Sequence, residues 1–288
     1  MTMLLAAPAL LLIAVVFGWP MLRYAWLSFH ADSVLTGLEP VANGGANWWR
    51  LAADQRFWLD AGQTARFALI SVGLELLLAL AIALLLHQRW RGRGAVRALT
   101  LLPWALPTTM MALGWRWIFN TPYGPIEVLA RSLGLNSLDL LSTPSITWLV
   151  TVFADVWKTT PFITLLLLAG LQTIPADLYS AFRLEGGKAH QAFTAITLPL
   201  LTPYILISLL FRTAQAAGVF DLIQVLTGGG PAGSTESIAQ YAYLNAMRFL
   251  DFGYSATVML AGFLLMSLAI GTAALLLRLG GLFRPLHP

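Results

Sequence analysis

Ionisable side chains inside apolar runs are the first candidates for chemistry in this 288-residue chain. Glu75 lies near the middle of a run over residues 64–86, and Asp155 and Lys158 lie near the middle of a run over 146–171. A charge at the centre of a bilayer costs about 2.5 kcal/mol or more, so it usually faces a partner or a cavity. Asp155 and Lys158 are three positions apart and could pair on one helix face.

Two uses of these charges stay open. In the first, Asp155 and Lys158 form an internal salt bridge that holds their run against the run containing Glu75. In the second, these side chains line a polar cavity for a sugar, because sugars bind through hydrogen-bonding groups together with an aromatic face. The residues that offer such a path are Asp155, Trp157, Lys158, Thr159, Gln215, Phe220 and Glu75. Arg116 and Arg212 are expected near the outer ends of their runs, where long side chains reach water.

Other kinds of site are not indicated. The chain has no cysteine, and its four histidines are scattered over different segments, so neither a metal site nor another cofactor is expected. Gly187-Lys188 is similar to the end of a phosphate-binding loop, but Phe182 replaces the required earlier glycine and Ala189 the hydroxyl residue. We therefore expect no catalysis and no nucleotide binding by this chain.

The composition shows which elements must position these residues. Hydrophobic residues make up 58% of the chain and charged residues 10%, whereas soluble proteins carry about 25% charged residues. This pattern predicts an all-α integral membrane protein that contacts lipid and no nucleic acid. At roughly 20 residues per crossing, the length accommodates about six spans. They are predicted over residues 3–22, 64–86, 98–119, 146–171, 198–219 and 252–277.

Positive charge predicts the orientation of the spans. Residues 87–97 carry four arginines and no acid, which is typical of a cytoplasmic loop. Counting spans from this loop makes residues 120–145 and 220–251 extracytoplasmic and both termini cytoplasmic. Arg278 and Arg284 then fall on the cytoplasmic side, as the same charge rule requires.

The cytoplasmic segment 172–197 predicts a short helix, a glycine turn and a second short helix. Pro175 suits the first helical turn, and Asp177 suits the positive end of the helix dipole. Gly186 and Gly187 can adopt the left-handed conformation that ends a helix. Such a bent pair of helices could dock into a groove on a soluble partner.

This segment resembles the "EAA" loop of ABC importer permeases, in which Glu-Ala-Ala precedes an acid-Gly-Ala step and an Ile-x-Leu-Pro close. The corresponding positions here are Ser180-Ala181-Phe182, Glu185-Gly186-Gly187 and Ile196-Thr197-Leu198-Pro199. The resemblance implies that the ATPase is coupled through Ser180, Ala181, Phe182, Glu185, Gly186, Gly187, Phe193 and Pro199. Because Ser180 replaces the leading glutamate, docking would rely more on shape and Glu185, or on a stronger contact made by a sister permease.

Further motifs are similar to the carbohydrate-uptake branch of these permeases, typified by the maltose permease MalF, over about residues 3–280. They are Trp115-Arg116-Trp117 with Gly124, Trp157 to Phe162, Ala169 to Gln172, Phe220-Asp221 with Leu226 to Pro231, and Tyr241 to Tyr254. The stretch from Val156 to Gly170 is similar to trehalose-type permeases.

The resemblance implies a type I ABC importer permease fold, with one transmembrane domain over 1–288 and a cytoplasmic coupling helix pair. It also implies a multi-pass protein of the bacterial plasma membrane. The implied partners are a second, MalG-like permease, two MalK-like ATP-binding subunits and an extracytoplasmic sugar-binding protein. The implied substrate is a disaccharide or small oligosaccharide such as trehalose or maltose.

Three alternatives remain. Another small polar solute, such as a glycerol phosphate, could replace the sugar. A secondary transporter could use Glu75 as a proton carrier, but it would not need a docking segment for an ATPase. An intramembrane enzyme could use Glu75 and Asp155, but no nucleophile or metal-ligand cluster accompanies them in the sequence.

Overall fold

The computed structural model describes residues 2–135, 137 and 139–279, and most of them are helical. The chain divides into two compact units. Among the described residues, one unit comprises residues 2–63 with Glu236–Leu268, and the other comprises Thr64–Thr235 with residues 269–279. Arg284 lies outside the described residues.

The first unit begins with a long helix formed by α1 (Thr2–Ile13), a π-helical turn (Ala14–Gly18) and α2 (Trp19–Leu27). A hairpin of β1 (His30–Ala31) and β2 (Val41–Ala42), with a 3-10 turn at Val34–Thr36, leads to α3 (Ala46–Ala53) and the start of α4 (Gln55–His87). Later elements are α13 (Ile238–Met247) and most of α14 (Phe252–Leu279). Phe57, Tyr254 and Val258 are fully buried in its core.

The second unit contains the rest of α4 and the helices that follow it. They are α5 (Arg93–Ala105), α6 (Thr108–Ile118), α7 (Pro125–Ser132), α8 (Pro144–Thr173), α9 (Ala176–Leu184), α10 (Ala189–Ala192), a π-helical turn (Phe193–Thr197), α11 (Leu198–Ala217) and α12 (Asp221–Leu226). Helix α8 is the most buried of the long helices and packs against α5 and α11. It therefore forms the central element of this unit.

Five helices in the described part of the chain are long and apolar enough to cross a membrane, or six if one bent pair is counted as a single span. The five are Ala7–Leu27, Gln55–His87, Pro144–Thr173, Ala189–Ala217 and Phe252–Leu276. The all-α membrane fold predicted from the sequence is confirmed. The observed helices extend beyond several predicted spans, most of all at Gln55–His87, because polar residues at their ends continue the helix.

The bent pair replaces the single span predicted over residues 98–119. Helices α5 and α6 meet at an angle of 91°. Leu106 between them is extended, with φ −72° and ψ 136°, as expected for a residue that precedes a proline, here Pro107. Pro103 and Pro107 lie within the predicted span, but they do not by themselves predict a break of this size.

Candidate functional site

The segment that the sequence predicts as a coupling element forms two helical arms, and we call residues 175–197 the elbow. The first arm is α9, which follows Pro175 and carries Asp177 in its first turn. The second arm comprises α10 and the π-helical turn at Phe193–Thr197, and it runs without a break into α11. The predicted helix–turn–helix is therefore present, and its second arm is continuous with a long apolar helix.

The turn between the arms depends on two glycines. Gly186 has φ +84°, the left-handed conformation that favours glycine. The Gly187 amide donates to the Phe182 carbonyl and the Gly186 amide to the Arg183 carbonyl, both at 3.0 Å. These two bonds form a Schellman ending of α9. A Cβ at Gly187 would overlap the Phe182 ring, so the ring lies directly against this glycine.

A contact that the sequence analysis missed joins the two arms. The hydroxyls of Tyr179 on α9 and Thr197 on the second arm are 2.9 Å apart, within hydrogen-bonding distance. Thr197 is buried and Tyr179 is half-buried. Tyr179 stands beside the motif position Ser180, but its pairing is recognisable only once the turn brings the arms together. The elbow is thus stabilised by backbone hydrogen bonds at its turn and by the Tyr179–Thr197 contact between its two arms.

The outward side of the elbow carries apolar and polar groups together. Leu184 is 89% exposed and Leu178 is 43% exposed. Ser180 and Glu185 are also exposed. Ser180 donates to the Ala176 carbonyl at 3.3 Å, which is a local bond within α9. Ala181 and Pro199 are exposed as well, whereas Phe193 is half-buried. This surface can dock a partner by shape.

The intramembrane charges form a buried cluster around an arginine. Arg212 Nε donates to Glu75 Oε2 at 2.6 Å, and its Nη2 donates to Glu75 Oε1 at 2.8 Å and to Asp155 Oδ2 at 3.0 Å. Arg212 Nη1 donates to Gln215 Oε1 at 3.0 Å. Glu75 is 0% exposed, Arg212 2% and Asp155 7%. We call Glu75, Asp155 and Arg212 the triad. It links α4, α8 and α11.

The triad corrects two sequence predictions. Arg212 was expected at an outer helix end in contact with water. It is instead buried between two carboxylates, because a buried carboxylate without a cation beside it is strongly unfavourable. Lys158 was a candidate partner for Asp155, but its Nζ donates to the Leu106 carbonyl at 2.8 Å and approaches the Trp104 carbonyl at 3.5 Å. These carbonyls lie at the end of α5, where the helix break leaves them without helical partners.

The other candidate path residues occupy different environments. Trp157 is 38% exposed, and its ring lies edge-on to the ring of Trp115 at 5.4 Å. Thr159 is buried and donates to the Asp155 carbonyl at 2.6 Å. Phe220 is half-buried just before α12. The structure thus brings Glu75, Asp155 and Gln215 together around Arg212, and it places Trp157 on the exposed side of α8.

A metal site is not formed in the described part of the chain, where no group of three or more histidine or acidic side chains is close enough to hold an ion. The carboxylates of Glu75 and Asp155 contact an arginine instead. The triad can therefore hold α4, α8 and α11 together.

Several known proteins are similar to this chain along most of its length. The trehalose/maltose transport system permease protein MalF of Thermococcus litoralis is 41% identical over 262 residues, which are 91% of this chain and 88% of that protein. The sulfoquinovosyl glycerol transport system permease protein SmoG of Agrobacterium fabrum is 35% identical, covering 92% and 86%. The trehalose transport system permease protein SugA of Mycobacterium tuberculosis is 34% identical, covering 88% and 81%.

A solved structure has the same fold. A chain of a bacterial ABC transporter involved in the import of the acidic polysaccharide alginate superposes with a TM-score of 0.82, over 96% of this chain and 94% of that chain, at 20% identity. The fold is that of a type I ABC importer permease.

Residues 75–279, which include the elbow and the triad, match the family described as "Binding-protein-dependent transport system inner membrane component". The match covers well over half of the chain, and the relatives above exceed 30% identity across most of its length. The chain therefore belongs to the family of inner membrane components of binding-protein-dependent transport systems.

Proposed function

We propose that this chain is one of two permease subunits of an ATP-driven sugar importer, and that its substrate is a disaccharide or small oligosaccharide such as trehalose or maltose. The observation that carries the proposal is the elbow, whose second arm is continuous with α11 over Ala189–Ala217. A rigid connection of this kind can transmit movement from a soluble partner into the membrane. The relatives named for trehalose and maltose transport support the sugar class.

The chain is a transport subunit and not an enzyme, and ATP hydrolysis belongs to separate subunits. Its proposed partners are a second permease, two ATP-binding subunits at the elbows and an extracytoplasmic sugar-binding protein. The exposed Leu178, Leu184 and Glu185 provide the elbow with a docking surface. The alginate transporter has been solved in complex with a pentasaccharide-bound periplasmic protein, which supports the last partner.

We place the translocation path along the exposed side of α8, with Trp157 as the aromatic surface for a sugar ring. The tryptophan is held in place by the edge-on ring of Trp115. Lys158 fixes the end of α5 beside it. Asp155, Thr159 and Glu75 are buried behind this surface. Gln215 accepts a hydrogen bond from Arg212, and Phe220 lies just before α12.

The test is sugar uptake by proteoliposomes that contain the permease with its second permease and ATP-binding subunits, and receive the sugar-binding protein outside. We expect ATP-dependent uptake of labelled trehalose or maltose and none without the ATP-binding subunits. A Trp157→Ala variant should lose most of the uptake, whereas Leu149→Ala, on the same exposed side of α8, should keep it. Uptake by the single chain without ATP would contradict the proposal.

A further inference from the structure

The triad and the elbow connect the same two helices at different heights. Helix α8 ends at Thr173, just before the first arm of the elbow, and α11 begins at Leu198, just after the second arm. Asp155 on α8 and Arg212 on α11 form a buried contact between them, away from the elbow. Any change in the angle between α8 and α11 would therefore change the geometry of both the triad and the elbow.

A close contact between these two positions can act as a pivot. Gly170 on α8 lies against α11, since a Cβ there would be 2.6 Å from the Tyr204 ring and 2.8 Å from Leu201 Cδ1. At 1.5 Å per residue, Asp155 is about 22 Å along α8 from Gly170, and Arg212 is about 16 Å along α11 from Leu201. Rotation about this contact would produce its larger displacement at the triad.

The contacts of Arg212 are unequal. Its pair with Glu75 is bidentate, with distances of 2.6 and 2.8 Å, whereas Asp155 receives a single bond of 3.0 Å. Losing one partner entirely would strand a buried charge, which is strongly unfavourable. Losing the contact with Asp155 while keeping Glu75 leaves the arginine paired, with Gln215 still beside it. The Asp155 carboxylate, which is 7% exposed, then needs water in place of the arginine, whereas Glu75 is 0% exposed and would be stranded. The Asp155 contact is thus the one that can open.

We propose that Arg212 is a positioning residue that couples the elbow to the translocation path by releasing Asp155, while it keeps Glu75, when α8 and α11 separate. This inference rests on the proposed importer function. Asp155 lies one helical turn from Lys158, which is next to Trp157 in sequence, so release of the Asp155 carboxylate would change the polarity of α8 beside the proposed path. Movement driven by ATP at one end would then alter the path at the other.

The first test uses the assembled importer in proteoliposomes and measures sugar uptake and ATP hydrolysis together. Arg212→Lys keeps the positive charge but cannot bind Glu75 through two parallel bonds while also reaching Asp155. We expect ATP hydrolysis to continue and sugar uptake per ATP to fall at least about fivefold, the lower end of the usual range for coupling between sites. The matched control is Arg131→Lys, because Arg131 is an exposed arginine that pairs with the buried Glu127 outside the triad, and it should leave the ratio unchanged.

The second test does not depend on the assembly of that variant. The chain has no cysteine, so Phe153→Cys on α8 and Phe211→Cys on α11, both at exposed positions, can carry spin labels near the triad while its three residues are kept. We expect the distance between the labels to differ in the nucleotide-free and ATP-trapped complexes. An unchanged distance, or an unchanged uptake per ATP in Arg212→Lys, would overturn the coupling role alone. Failure of the unmodified complex to transport sugar would instead overturn the proposed function.

Discussion

Asp54 contacts three elements of the first unit at once, α4, α13 and α14. Its Oδ1 accepts from the backbone amide of Arg56 at 2.9 Å, so it caps the start of α4. Its Oδ2 accepts from the hydroxyl of Tyr241 at 2.6 Å and from that of Tyr254. Burial by itself would raise the pKa of Asp54, but the hydrogen bonds from the two tyrosines and the backbone lower it below the ordinary 3.8.

A lowered pKa means that ionised Asp54 stabilises the folded state above pH about 4, and that this contribution is lost as the pH falls through the lowered pKa. Asp54→Asn should therefore reduce the free energy of unfolding at pH 7 by about 1–2 kcal/mol, allowing for solvent screening. Thermal unfolding of the purified protein at pH 7 and in the acid range measures this. Asp177→Asn on the elbow is the control. An equal loss for Asp54→Asn at both pH values would contradict the assignment.

Individual residues were predicted well where their role is local and poorly where it depends on a distant partner. Gly186 was expected to have a positive φ, because a helix ending is determined within a few residues, and this is confirmed. Arg212 was misplaced because its partner Glu75 is 137 residues away in sequence. The sequence did contain a signal for this position. An ionisable residue inside an apolar run usually faces a partner or a cavity, and this rule applies to Arg212 as it does to Glu75.

At the scale of elements, the elbow depends on the conformation of its turn. Gly186→Val places a β-branched residue at φ +84°, which should cost about 1–3 kcal/mol locally. We expect the spans to insert normally, while the variant assembles poorly with the ATP-binding subunits or hydrolyses ATP without uptake. Complex yield and uptake per ATP are the measurements.

The matched controls for Gly186→Val use the same segment. Gly186→Asn should be milder, because asparagine tolerates a positive φ better than other residues. Ser180→Glu, at an exposed position of α9, should be tolerated and should strengthen docking. Full uptake and normal complex yield in Gly186→Val would show that the elbow does not couple the subunits.

The elements themselves were largely predictable from hydrophobic runs, prolines and glycines. What the sequence did not reveal was the 91° break between α5 and α6, although Pro107 marks its place. A proline restricts the residue before it, but the size of the bend depends on packing, here on the contacts of α6 with α12. Likewise, the predicted outer loop over 120–145 contains the short helix α7 (Pro125–Ser132), whose eight residues give too weak a periodic signal.

At the scale of the whole molecule, the orientation in the membrane remains a prediction from the positive charge of residues 87–97. Arg91 is exposed in this loop, and Tyr123 is 80% exposed in the segment expected outside. In the cysteine-free chain, Arg91→Cys should be protected from an impermeant thiol reagent in intact cells, and Tyr123→Cys should react. Both should react after permeabilisation. The opposite labelling pattern would show that the topology is inverted and that the elbow lies outside.

The contact of Lys158 with the end of α5 bears on how the protein is made. The carbonyl of Leu106 is released by the helix break, and the ammonium group that binds it lies 52 residues later in the chain. When α5 and α6 leave the ribosome, α8 has not yet emerged, so the bend enters the membrane with unpaired backbone groups. The insertion machinery or water must shelter the bend until α8 arrives. Biogenesis of this protein should therefore include a stage at which α5 and α6 remain at the translocon and are released into lipid only together with α8.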